Sequence, residues 1–283
     1  MLTDQTLLFV MGDTVPKDEL RALCANAETS GTRLMCLIIR ELPSQPMNAY
    51  GALPYGGLGV LSEWMELVKE EKAQLKATAD AVEAILQEAG VSGDVQPVHC
   101  ASVDVREIVA QRAMVSDIAT VSKGLRESDP DLFKAASYGV LFESPTSLRL
   151  NGNILEQPKK VFLAWNAELT AARAIHSALP MLEAADEVVI ACIDPKAVVD
   201  DNGEDPGSDM ARWLSHRGCN VTVSQFPSGG HPVSMAIKQR ANEVGADLVV
   251  MGAFGRSRMR ELFFGGTTNA MLHQTEVPVL MAH

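Results

Sequence analysis

Short apolar runs alternate with amphipathic stretches along the 283-residue chain, and this alternation occurs twice in the same order. Short β-rich runs separated by helical segments are typical of parallel sheets built from βαβ units. The sequence therefore predicts two consecutive α/β units with the same order of strands and helices. The first series of runs covers 6–11, 33–39, 94–99, 117–121 and 145–150, and the second covers 160–165, 187–193, 220–226, 247–251 and 278–281.

Local matches support a duplication of the whole unit. The triplet Gln-Arg-Ala at 111–113 precedes the fourth run of the first series, and the same triplet at 239–241 precedes the fourth run of the second. Both fourth runs also begin with an aspartate, Asp117 and Asp247. Because these matches keep the same order, each series is expected to form one α/β domain.

The length of the chain agrees with two domains, since one domain takes roughly 150 residues. The segment 151–159 contains Asn-Gly-Asn and Gln-Pro, which favour turns and linkers. We therefore predict one domain over residues 1–153 and a second over residues 154–283.

Acidic side chains dominate the charge of the chain, with 36 Asp and Glu against 24 Lys and Arg and a formal net charge of −12. Such a surface repels phosphate backbones and anionic lipids, so neither nucleic acids nor membranes are expected as partners. No apolar run reaches the roughly 18 residues that a membrane span needs, and the first residues lack the pattern of a signal peptide. These observations predict a cytoplasmic protein.

The five cysteines are scattered and form no C-x-x-C pair, so they are expected to be buried core residues in a reducing compartment. The six histidines lack the spacing of a zinc site. No metal site is predicted from the sequence.

A glycine-rich segment follows the fourth run of the second series and carries the strongest functional pattern. The apolar run ends at Met251 and leads directly into Gly252 and Gly255. Glycines at a strand end permit positive φ and let backbone N–H groups approach a ligand without a Cβ in the way. In open α/β sheets this carboxyl edge is where ligands bind.

A second glycine pair, Gly265 and Gly266, precedes Thr267, Thr268 and a helix predicted over 269–273. The hydroxyl groups add hydrogen-bond donors. A helix N-terminus offers unpaired N–H groups and a partial positive charge. The pair therefore predicts a turn that can hold a phosphate group.

Three arginines, Arg256, Arg258 and Arg260, lie between the two glycine pairs. Positive charge beside a glycine loop favours a phosphate, but Arg256 and Arg260 can equally form a solvated helix face with Glu261 nearby. The segment is not a P-loop, because no G-K-[ST] follows the glycines, and it lacks the G-x-G-x-x-G of dinucleotide folds.

The spacing G-x2-G-x9-G, formed by Gly252, Gly255 and Gly265, resembles the nucleotide-binding members of the universal stress protein family. In those members a Ser or Thr follows the last glycine, whereas Gly266 stands at the first of these positions here. The preceding Ala-Asp-Leu-Val-Val-Met and the trailing Val-Pro-Val-Leu strengthen the resemblance. Because it covers both halves, the chain resembles a tandem universal stress protein.

The resemblance implies two adenine-nucleotide alpha hydrolase-like, Rossmann-like domains. Each would be an open five-stranded parallel sheet with helices on both faces. Domains of this family commonly pair through their last strands, which implies internal pairing of the two halves. It leaves open whether the chain is a monomer or a homodimer.

The resemblance also implies ATP or AMP as the ligand, with or without Mg²⁺. In the family, an aspartate at the end of the first strand contacts the ribose and the backbone at the end of the second holds the adenine. By position these become Asn166 and Ile193, although Asn166 is explained nearly as well as a strand-end turn residue. The predicted nucleotide-binding residues are Ala164, Asn166, Ile193, Met251, Gly252, Gly255, Arg256, Gly265, Gly266, Thr267 and Thr268.

The first half departs from this pattern after its fourth run. Ser-Lys-Gly-Leu follows at 122–125, with no second glycine three residues on and no Gly-Gly-Thr-Thr equivalent. Asp13 stands at the end of the first run but is expected to lack partners. The sequence therefore predicts one nucleotide site, in the second half, and a degenerate first half.

No nucleophile or general base is recognisable, so at most slow ATP hydrolysis is expected. The predicted function is a stress protein in which bound nucleotide regulates affinity for a protein partner that the sequence does not identify. The alternative is a nucleotide-independent scaffold with a vestigial site. An aspartate introduced at Gly252 or at Gly265 is expected to abolish nucleotide binding while the fold persists.

Overall fold

The computed structural model describes residues 4–43, 57–195, 206–255 and 266–283 of the chain. Every strand predicted from the sequence is present, with bounds that move by at most two residues. The first five strands are β1 (Thr6–Met11), β2 (Arg33–Glu41), β3 (Gly93–Cys100), β4 (Ile118–Val121) and β5 (Ser147–Leu150). The second five are β6 (Lys160–Ala164), β7 (Glu187–Ile193), β8 (Val221–Phe226), β9 (Leu248–Gly252) and β10 (Val279–Ala282).

Helices occupy most of the segments between the strands, as the alternating pattern predicts. In the first half they are α1 (Lys17–Ser30), α2 (Gly57–Glu88), α3 (Val105–Ala113), α4 (Lys123–Ser128) and α5 (Pro130–Glu143). In the second half they are α6 (Leu169–Ser177), α7 (Leu179–Glu183), α8 (Ser208–His216), α9 (Val233–Glu243) and α10 (Gly266–His273). None of the helices in these ranges is long and apolar enough to cross a bilayer.

The ten strands form one sheet in the order β3-β2-β1-β4-β5-β10-β9-β6-β7-β8. All neighbours are parallel except β5 and β10, which pair antiparallel with Leu280 opposite Arg149. The two five-stranded units expected from the sequence are therefore joined through their last strands into one continuous sheet. The pairing covers what would otherwise be an open edge strand on each half, and it is the internal association that the family resemblance implied.

Helices cover both faces of this sheet, as predicted for the fold class. Leu7 and Phe9 of β1 point to the face covered by α1, α2, α6, α7 and α8, whereas Leu8 and Val10 point to the face covered by α3, α4, α5, α9 and α10. Burial on both faces explains why the strands read as continuous apolar runs. All five cysteines are buried and unpaired, as expected.

Candidate functional site

A cavity of about 440 Å³ opens at the carboxyl ends of β6, β7 and β9. The chain runs from β6 to β7 and β8 on one side, and α9 then carries it back to β9 on the other side of β6. This reversal of strand order is the position where open α/β sheets bind ligands. The volume lies within the range of roughly 300–1,000 Å³ that is typical of small-molecule sites.

Nine of the eleven predicted nucleotide-binding residues line this cavity. They are Ala164, Asn166, Ile193, Met251, Gly252, Gly255, Gly266, Thr267 and Thr268. The other two, Arg256 and Gly265, lie outside the described residues, as do Arg258 and Arg260. Residues separated by more than 100 positions in the chain therefore meet at one edge of the sheet.

Gly252 and Gly255 do not need a positive φ, which corrects the backbone argument made from the sequence. Gly252 is instead required by close packing, because an added Cβ would lie 2.5 Å from the backbone nitrogen of Ala171 and 2.6 Å from the carbonyl carbon of Thr170. Both atoms belong to the main chain of α6, which cannot move aside as a side chain can. The expectation that aspartate at Gly252 leaves the fold intact is therefore not supported by the packing.

A Cβ at Gly255 would overlap the carboxylate of Glu168, which also lines the cavity. Among the lining residues that the structure describes, Glu168 carries the charged side chain. Sequence reasoning missed this residue. Its position directly before α6 is readable from the sequence, but its place in the cavity depends on how α6 packs against β9.

Asn166 forms a turn at the start of α6. Its Oδ1 accepts a hydrogen bond from the Glu168 backbone N–H at 3.1 Å, and Ala167 between them has a φ of 59°. Of the two explanations for Asn166, the structure therefore shows the turn residue. The side chain can still donate to a ligand from Nδ2.

The phosphate-binding turn predicted at the second glycine pair is the first turn of α10. The helix begins at Gly266, three residues before the predicted start. Gly266 is exposed and Thr267 half-buried, so both can face a ligand, whereas Thr268 is buried and its Oγ1 accepts the Phe254 N–H at 3.0 Å. Thr268 therefore connects α10 to the loop after β9.

Three non-glycine residues with positive φ follow the strands that surround the cavity. They are Ala167 after β6 (59°), Asp194 after β7 (42°) and Phe254 after β9 (51°). Hydrogen bonds from Ser228 lower the pKa of Asp194 and hold its turn. Such backbone conformations cost free energy and cluster at functional sites. In the described part of the first half, no residue of this kind follows β1, β2 or β4.

The equivalent edge of the first half is built differently. The helix α4 starts at Lys123, directly after β4, and places the buried Leu125 against Gly12, where an added Cβ would lie 3.1 Å from its Cδ1. Asp13, expected to lack partners, forms a 3.0 Å ion pair with Arg40 of β2. A cleft of about 370 Å³ remains there. In the first half, however, α4 and the Asp13–Arg40 ion pair occupy the positions that correspond to the loop after β9 and to Asn166 in the second half.

The fold is an open, mostly parallel α/β sheet with a cavity at the switch point of its second half. Residues 159–283 match the Universal stress protein family, the family that the glycine spacing of the second half resembles. The match does not extend into the first half.

Two solved structures illustrate the similarity of the whole chain to known folds. A universal stress protein from Archaeoglobus fulgidus DSM 4304 aligns with a TM-score of 0.62 and 16% identity, covering 99% of this chain and 97% of that one. A candidate universal stress protein from Pseudomonas aeruginosa UCBPP-PA14 aligns with a TM-score of 0.52 and 15% identity, covering 99% and 93%. At these identities the likeness shows the fold alone. A search of curated proteins by sequence finds no match.

Proposed function

We propose that the chain is a tandem universal stress protein that binds one adenine nucleotide, ATP or AMP, in its second half. The observation that carries this proposal is the convergence of nine predicted residues on one cavity at the switch point of the sheet. The strained residues around that cavity, and their absence from the corresponding described strand ends of the first half, support the same choice of half.

The chemistry of the cavity wall indicates how a nucleotide would lie. The side formed by β7 and α9 is apolar, with Ala191, Ile193 and Ile237, and suits the adenine ring. The opposite side has Gly266 and Thr267 at the N-terminus of α10, where backbone N–H groups and the helix dipole favour phosphates. The ribose would then lie between these sides, within reach of Asn166.

We assign the chain a regulatory binding role, in which the nucleotide alters affinity for a protein partner in a stress response. The described lining supplies Glu168 as a carboxylate but no Ser, Cys or His in the position of a nucleophile. Mg²⁺ would arrive on the phosphates of ATP, and slow hydrolysis would require only that it polarise the γ-phosphate. The first half would serve as the structural mate of the binding domain.

A nucleotide-independent scaffold is the second candidate, and two observations favour it. Glu168 places negative charge in the described cavity, and the Oδ1 of Asn166 is engaged by the backbone of its own turn. Both features weaken a site for an anionic ligand.

Identification of the ligand separates the two functions. The purified full chain is denatured, the released small molecules are identified by mass spectrometry, and the melting temperature is measured with millimolar ATP, AMP and GTP. Co-purified adenine nucleotide, or a rise in melting temperature with ATP or AMP that exceeds the rise with GTP, supports nucleotide binding. A chain that releases no nucleotide and shows no shift is the scaffold.

A further inference from the structure

The loop formed by residues 252–255 holds a bulky side chain in a backbone conformation that such residues rarely adopt. Phe254 has a φ of 51°, and its side chain is buried. A phenylalanine in this left-handed region carries a steric cost that its surroundings must offset. Because the loop lines the candidate nucleotide cavity, the contacts that hold Phe254 also set the shape of the cavity.

Two of these contacts come from the first half of the chain. Tyr138 and Phe142 lie one turn apart on α5, on one face of the helix. The ring of Phe254 packs against Phe142 with centroids 4.7 Å apart and against Tyr138 edge-on at 5.7 Å. Edge-to-face and tilted ring pairs at these distances are attractive beyond the apolar area that they bury.

Phe142 also supports the loop through His283. The imidazole Nδ1 of His283 lies 2.8 Å from the Ala253 carbonyl oxygen. Since a carbonyl only accepts, Nδ1 donates this hydrogen bond. The ring of Phe142 packs edge-on against the same imidazole at 5.0 Å. Phe142 therefore packs against Phe254 itself and against His283, which donates the hydrogen bond to Ala253.

The antiparallel pairing of β5 with β10 explains why these rings meet. It places α5 beside the second half, on the face of the sheet that α9 and α10 also cover. We propose that Tyr138 and Phe142 are positioning residues of the nucleotide site, so that the first half completes a site whose described lining residues all belong to the second. This proposal rests on the proposed function and adds a reason why the two halves are joined.

The test compares the full chain with its Phe142→Ala variant. Loss of the ring frees Phe254 and His283, so we expect the dissociation constant for ATP or AMP, measured by calorimetry, to rise about tenfold, equivalent to 1.4 kcal/mol. Phe142→Leu removes the ring but keeps apolar volume, and it replaces the alanine variant in every measurement if that variant does not fold.

Leu132→Ala is the matched control, because Leu132 is a buried residue of the same helix but lines the first-half cleft instead. It is expected to lower the melting temperature while the nucleotide affinity stays that of the parent. A second comparison uses the Phe254→Gly background, since glycine adopts a φ of 51° without strain. There, Phe142→Ala should raise the dissociation constant less than it does in the parent, because only the contact of Phe142 with His283 remains to be lost.

Amide hydrogen exchange tests the same role without any ligand. The Phe254 N–H, which donates to Thr268, should exchange faster in Phe142→Ala than in Leu132→Ala. Equal exchange in the two variants, or an equal loss of affinity, overturns the positioning role. A parent chain that binds neither ATP nor AMP overturns the proposed function instead, and the exchange comparison still decides the role of Phe142.

Discussion

Replacement of Gly266 by aspartate should remove nucleotide binding without weakening the fold. Gly266 is the exposed first residue of α10, it lines the cavity, and no described atom lies within 4 Å of an added Cβ. An aspartate therefore fits without a clash. Its carboxylate would occupy the helix N-terminus, where the proposal places the phosphates.

The size of the effect follows from Coulomb's law. Two unit charges about 5 Å apart repel by about 1 kcal/mol in bulk water and by about 3 kcal/mol at an effective dielectric constant of about 20. Gly266 is exposed, so the repulsion lies between these limits, and the dissociation constant should rise by about 5-fold to 200-fold. The same carboxylate stabilises the first turn of a helix by about 0.3–1 kcal/mol. Affinity and stability should thus change in opposite directions.

Calorimetric titration with ATP and thermal unfolding of the same samples measure both effects. Gly266→Asn is the matched control, because asparagine has nearly the size of aspartate without its charge and should keep the affinity within about threefold. An aspartate variant that binds ATP as tightly as the parent would show that the phosphates do not lie at α10. A variant that unfolds would contradict the open space around Gly266.

Three further substitutions test the packing and the electrostatics. Gly252→Ala forces a methyl group into the main chain of α6 and should cost about 1–3 kcal/mol, seen as a melting temperature lower by about 2–12 °C; an unchanged value would refute the contact with Ala171. Burial lowers the pKa of Arg149 to about 10 and its Nε has no partner, whereas its Nη2 donates to the Glu156 carbonyl oxygen at 3.0 Å. Because loss of that hydrogen bond offsets the gain from removing a buried charge, Arg149→Met should leave the free energy of unfolding within about 1.5 kcal/mol of the parent, and a larger loss would contradict this. Burial raises the pKa of Glu19 above its usual 4.5. The folded chain therefore binds the Glu19 proton more tightly than the unfolded chain does. As a result, the parent loses stability through Glu19 as the pH rises above about 4.5. Glu19→Gln should therefore gain stability relative to the parent between pH 4 and pH 7 in denaturant titrations, and a difference that does not vary with pH would count against the shift.

The strands could be predicted because a strand that is buried on both faces of a sheet is apolar along its length. In β1, residues pointing to either face are buried, so the run from Leu7 to Met11 is apolar throughout. The continuous sheet could not be read in the same way. The pairing of β5 with β10 joins residues about 130 positions apart, and no local pattern reports it.

The sequence predicts which residues line the cavity, but it does not predict the role of a residue that can serve either packing, a turn or ligand contact. Gly252 lines the cavity, but close packing against α6 explains this glycine better than a positive φ, and spacing in the sequence does not show that packing. Asn166 can contact a ligand or form a turn, and only the position of the Glu168 N–H distinguishes these. The sequence predicts a start of α10 that is three residues too late, because glycine and threonine are poor helix formers. The hydrogen bond from the Phe254 N–H to Thr268, which holds this first turn, is a tertiary contact and leaves no local pattern in the sequence.

Calorimetric titration of the purified, nucleotide-free full chain with ATP and with AMP tests directly whether the second half alone binds a nucleotide. One adenine nucleotide should bind per chain. Two equivalent sites would contradict the assignment of binding to the second half alone. No binding of either nucleotide at millimolar concentration would show that the cavity at the ends of β6, β7 and β9 serves another purpose.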